Sequence, residues 1–77
     1  MKERERLMTL SRISPNGRYV CDSEAIDTLC ASIEREGQTE PITVWFTGSG
    51  FRILDGEKRW RACKRLGLSR IRVQIAQ

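Results

Sequence analysis

The run Leu54-Asp55-Gly56-Glu57-Lys58-Arg59-Trp60-Arg61-Ala62-Cys63-Lys64-Arg65-Leu66-Gly67-Leu68 sets a glycine and three closely spaced cations, Lys58, Arg59 and Arg61, at the start of an expected helix. Phe51-Arg52-Ile53-Leu54 before it has the β-branched and aromatic content of a strand, and Gly56 lets the backbone turn sharply between the two. The first N–H groups of a helix lack intrahelical partners and carry the positive end of its dipole, so the chemistry indicated is oxyanion binding, with phosphate as the ligand. Cations in the first turn and a half oppose that dipole unless an anion compensates them. The alternative is a solvated helix face: Trp60, Cys63 and Leu66 recur every three residues as a buried stripe and leave the cations outside. Charge distribution favours a ligand. Residues 51–77 hold eight Lys and Arg against Asp55 and Glu57, whereas the first fifty residues hold six cations against eight carboxylates. A basic half of this kind is the footprint expected for nucleic acid or for nucleotide phosphates.

Several classes of chemistry drop out. The chain has no histidine, which removes Ser-His-Asp and Cys-His catalysis and most transition-metal sites. Cys21, Cys30 and Cys63 are odd in number and far apart, so neither a disulfide framework nor a zinc site is indicated, and no direct metal ligands are expected. Cys30 and Cys63 fall on apolar stripes and read as small core residues. No apolar run reaches membrane-spanning length, and Met1-Lys2-Glu3-Arg4-Glu5-Arg6 leads into no apolar segment, so a cytoplasmic protein with no membrane partner is expected. Seventy-seven residues make one domain, 1–77, with 1–7 expected as a flexible charged N-terminus. A core this small leaves room for a ligand, a second copy or another partner protein to add stability.

The elements that must position the cationic turn follow from pattern. Met8 to Ile13 reads as a strand, Pro15-Asn16-Gly17 as a turn, and Tyr19 and Val20 as extended chain. Asp22 or Ser23 caps a helix with an apolar stripe at Ile26, Leu29, Cys30 and Ile33, ended by Gly37. Thr43 to Thr47 and Phe51 to Leu54 form a hairpin about Gly48-Ser49-Gly50, with Pro41 tolerated at the entrance. The second helix runs from about Glu57 to Leu66, with Gly67 beyond its end and Leu68 folded back on Cys63. Ile71, Val73 and Ile75 alternate with Arg70, Arg72 and Gln74 in a last strand with one buried and one basic face. The fold class is therefore α+β, a small mixed sheet of about four strands with two main helices.

Three segments in order carry a family resemblance: Leu29 to Gly37, then Glu40-Pro41-Ile42-Thr43-Val44, then Asp55-Gly56-Glu57-Lys58-Arg59-Trp60-Arg61-Ala62. Together they resemble the N-terminal domain of ParB chromosome-partitioning proteins, with its "Q-P-I-x-V" strand entry and "G-E-R-R-W-R-A" box, over about Thr9 to Ile75. The resemblance implies a ParB/sulfiredoxin fold in which the box binds nucleotide phosphates, commonly with Mg2+, and the base sits near the "Q-P" segment. Carried over, Gly56 opens the phosphate turn, Arg59 and Arg61 contact phosphate oxygens, and Lys58 stands for the first arginine of the box. Glu57 orients an arginine or reaches a phosphate-held metal ion, and is the best candidate for a catalytic residue if there is turnover.

Thr39, Glu40 and Pro41 border the nucleobase. Glu40 replaces the usual glutamine, so that an acceptor-only carboxylate stands where an amide also donates. Trp60 reads as core rather than as a base-stacking ring, and Trp45 as either a stacking surface or sheet packing. Arg18 stands near the position of a "Q-P-R" segment. The implied ligands are a nucleotide (CTP or ATP) and DNA, and the implied role is in DNA segregation, plasmid or phage maintenance, or transcriptional regulation. The alternative is a metal-dependent nuclease or nucleotide hydrolase of the same fold. Sulfiredoxin chemistry is disfavoured, because Glu57 stands where that branch has its catalytic cysteine.

Overall fold

The computed structural model describes residues 5–15 and 23–76. Its elements are β1 (Glu5–Thr9), a single 3-10 turn (Leu10–Arg12), β2 (Ile13–Ser14), α1 (Ser23–Glu36), β3 (Ile42–Phe46), β4 (Phe51–Asp55), α2 (Glu57–Arg65) and β5 (Arg70–Ile75). The α+β class and the two helices are as expected, but the sheet has five strands rather than four, in the order β1-β5-β3-β4-β2. The additional strand comes from the expected Met8–Ile13 strand. Met8 and Ile13 are both buried, yet they stand on opposite parities of a period-2 pattern, so one straight strand cannot send both inward. The 3-10 turn resolves the conflict, anchored by the Leu10 N–H on the Ser69 carbonyl at 3.0 Å.

That turn also shapes the sheet. It joins the two edge strands with three residues, which span about 6 Å at a 3-10 rise, whereas the edges of a flat five-stranded sheet lie about 19 Å apart. The sheet must therefore curl until β1 and β2 approach each other.

Strand pairing reaches into the segment 1–7 expected as a flexible tail. Glu5–Leu7 belong to β1, which pairs antiparallel to β5 along its whole length, and the Glu5 carboxylate accepts from Arg72 Nε at 3.0 Å. Those backbone and ion-pair contacts hold a segment whose composition alone reads as a solvated tail. Asn16, Gly17, Arg18, Tyr19, Val20, Cys21 and Asp22 lie outside the described residues.

The core lies between the inner sheet face and the helices, built from Met8, Ile13, Ile42, Val44, Ile53, Trp60, Cys63, Ile71 and Val73. A second cluster of Ile26, Cys30 and Ala62 locks α1 onto α2. Burial pushes the Cys63 thiol above its usual range, and neighbouring Cys30 adds to the effect. Beyond α2, the Leu68 N–H reaches the Cys63 carbonyl and the Gly67 N–H reaches that of Lys64, both at 3.1 Å. This is a Schellman ending, made possible by Gly67 at φ 77°.

Candidate anion-binding site

At Gly56 the chain leaves β4 with φ 104° and enters α2, this glycine N-cap itself supplying no side-chain hydrogen bond to the helix. The first helical bond runs from the Trp60 N–H to the Gly56 carbonyl, at 3.0 Å. A Cβ at position 56 would come within 3.2 Å of Ile42 Cγ1 and 3.3 Å of Arg59 Nη1. Glycine is thus required twice, by the left-handed backbone and by the close approach of a core isoleucine and a guanidinium.

The turn opens on a cleft of about 750 Å³, lined from β4 and the first turn of α2 by Ile53, Leu54, Asp55, Gly56, Glu57, Lys58 and Arg59, with Ala25, Thr28 and Leu29 of α1 opposite. That volume suits a nucleotide-sized ligand. Of the residues singled out for phosphate, Gly56, Glu57, Lys58 and Arg59 line this cleft, and Arg61 does not. Arg61 instead borders a neighbouring groove with Ser23, Ile26, Trp60, Lys64 and Arg65. Arg61 lies one turn further along α2 than Glu57, on nearly the same face, and its guanidinium pairs with the Glu57 carboxylate.

Glu57 is buried, 7% exposed, and its Oε2 accepts from Arg61 Nε at 3.2 Å and lies 3.1 Å from Arg61 Nη2. The carboxylate is thus paired with an arginine of its own helix. The second arginine is held differently: Arg59 Nη2 donates to Glu40 Oε1 at 2.7 Å. Thr39 is exposed and Pro41 half-buried, and neither lines the cleft.

Glu40 reaches Arg59 because its segment is pinned. The Gln38 side-chain amide accepts from the Arg72 N–H at 2.7 Å and donates to the Arg72 carbonyl at 2.9 Å and the Glu40 carbonyl at 3.0 Å. It thereby pairs with β5 as a strand residue would. Pro41 restricts Glu40 to extended backbone, and Ile42 then packs beneath Gly56. Gln38 and the α1 residues Ala25 and Thr28 escaped sequence reasoning, because nothing in pattern or spacing marks a contact that tertiary folding creates.

Trp60 is core, 6% exposed, with Lys64 Nζ 5.1 Å above its ring. Trp45 is exposed and faces Arg52 across β3 and β4. No helix among the described residues is long and apolar enough to cross a membrane.

The model of the ParB N-terminal domain family matches residues 2–77, and the chain belongs to that family. It is 40% identical over 74 residues to the nucleoid occlusion protein of Geobacillus sp. (strain WCH70), covering 91% of this chain and 26% of that protein. Among solved structures it is similar to the C-terminally truncated chromosome-partitioning protein ParB of Caulobacter crescentus complexed with CTP-gamma-S, with a TM-score of 0.84, 28% identity, and coverage of 96% of this chain and 44% of the other. It is also similar to sulfiredoxin of Arabidopsis thaliana, with a TM-score of 0.87, 25% identity, and coverage of 96% and 85% respectively. The fold is thus ParB/sulfiredoxin-like, and the chain spans about a quarter of the length of the curated relative.

Proposed function

We propose that this domain binds a nucleoside triphosphate in the cleft between α1 and α2, with its phosphates at the Gly56–Arg59 turn, and that it serves chromosome or plasmid partitioning. The observation that carries this is the geometry at the start of α2: a left-handed Gly56 turns the helix start into a cleft of about 750 Å³ that Lys58 and Arg59 also line. Backbone N–H groups and the helix dipole attract an anion there, and the two cations add charge-assisted contacts. Arg61, itself outside the cleft, pairs with the cleft-lining Glu57 and so neutralises a carboxylate that would otherwise repel phosphate.

The Caulobacter relative with bound CTP-gamma-S favours a cytidine nucleotide. Among the described residues no three Asp, Glu, His or Cys side chains gather as a ligand set. A Mg2+ ion therefore fits this chain as one carried by phosphate oxygens and water, with Asp55 and Glu57 the carboxylates that line the cleft. When bound, such an ion would neutralise phosphate charge. The same sparse donor set gives the nuclease and hydrolase alternative less support than binding.

Calorimetric titration of the domain with CTP in the presence of Mg2+ tests the proposal. Saturable binding, weakened about tenfold or more by Arg59→Ala, is expected from the loss of one charge-assisted contact. Equal affinity in the variant, or no binding by the wild type, would refute it.

A further inference from the structure

We infer that Glu40 sets the anion affinity of the cleft by holding Arg59 as an internal competitor, so that a phosphate binds only by displacing its carboxylate. This rests on the proposed nucleotide site and adds to it a control that the site's own residues do not supply.

The two arginines of the turn are partnered unequally. Arg61 sits on the buried Glu57, a carboxylate 7% exposed that is fixed on the same helix. Arg59 sits on Glu40, whose side chain is 67% exposed, while that of Arg59 is only 30% exposed. The Arg59 guanidinium is therefore already at its post: Nη1 is the group that would meet a Cβ on Gly56 at 3.3 Å, and Nη2 holds the carboxylate at 2.7 Å. A carboxylate and a phosphate can each offer a pair of oxygens to a guanidinium, and a phosphate that engages both Nη1 and Nη2 must displace the carboxylate from Nη2. Glu40 is free to leave because its other side is solvent, and it is ready to return because Gln38 and Pro41 fix its backbone. Glutamine at this position, the residue the family pattern carries, would be a neutral and weaker partner for Arg59.

An exposed ion pair of ordinary strength leaves Arg59 unlatched for only a minority of the time, and apparent affinity falls in proportion to that fraction, by roughly twofold to sixfold. The experiment is a double-mutant cycle titrated with CTP and Mg2+ by calorimetry, using wild type, Glu40→Gln, Arg59→Ala and the double variant. Glu36→Gln, which removes an equal charge from the far end of α1, controls for net charge. Circular dichroism confirms folding.

The expected result is tightening by roughly twofold to sixfold in Glu40→Gln, loss of that gain in the Arg59→Ala background, and little change in Glu36→Gln. If wild type binds and Arg59→Ala weakens it but Glu40→Gln does not tighten it, the inference fails and the proposed site stands. A gain that survives in the Arg59→Ala background also overturns the inference, as a general charge effect. If neither wild type nor Glu40→Gln binds, both fall.

Discussion

Gly56 and Glu57 show how few residues the site depends on. Gly56→Ala forces a Cβ into a left-handed backbone and against the fully buried Ile42. A loss of about 1–3 kcal/mol in urea unfolding is expected, since positive φ and overpacking each cost in that range. Glu57→Gln leaves the Arg61 guanidinium with a neutral partner at a buried position. Because Arg61 is 41% exposed, water replaces part of the lost contact and the expected cost is about 1 kcal/mol, not the larger penalty of a fully buried pair. The same titration that detects nucleotide should find Glu57→Gln weakened less than Arg59→Ala, because both line the cleft but only Arg59 brings a cation to it, while Glu57 is a carboxylate turned to Arg61.

Among the elements, α2 carries both signals that sequence made legible, its glycine entry and its Schellman exit. Gly67→Ala places a Cβ at φ 77° and should cost about 1 kcal/mol, read as a lower thermal midpoint with the fold intact. Cys63 gives α2 a pH signature. Its thiol is raised above the ordinary value of 9.0 by burial and by Cys30, so the folded state holds the proton longer than the unfolded state does. Its contribution is fully present below the unfolded thiol pKa and is lost as pH rises through and beyond it. Urea midpoints measured from pH 7 to 10 should fall at the alkaline end, and Cys63→Ala should flatten that fall relative to its own value at pH 7.

Hairpin and helix boundaries were legible because local chemistry dictates them: Gly48-Ser49-Gly50 closes through the Thr47 N–H on the Gly50 carbonyl at 2.8 Å, and the stripes of both helices face the core. The division of residues 5–14 into two edge strands was not, because it follows from sheet curl and from pairing with β5 and β4. The Arg59–Glu40 contact was illegible for the same reason, joining residues nineteen positions apart.

For the whole molecule, the basic second half is divided between uses. Arg72 is spent on Glu5 and on the Gln38 carbonyl, and Arg65 on Asp27, so net charge overstates what is available to an anion. Lys58 and Arg59 line the cleft. A domain this small should gain visibly from a ligand that binds only the folded state. At one hundred times Kd, stabilisation is about 2.7 kcal/mol, a rise of roughly 10 °C or more in thermal midpoint for a chain of this size. Raising salt from 50 to 500 mM should diminish that rise through screening of the cationic turn.

The most direct test of the central claim is amide chemical-shift mapping of the domain during titration with CTP and Mg2+. Saturable shifts are expected, strongest at Gly56, Glu57, Lys58 and Arg59, with Thr28 and Leu29 across the cleft moving at the same ligand concentrations. Shifts confined to the outer sheet face around Trp45 and Arg52, or none at all, would contradict that claim.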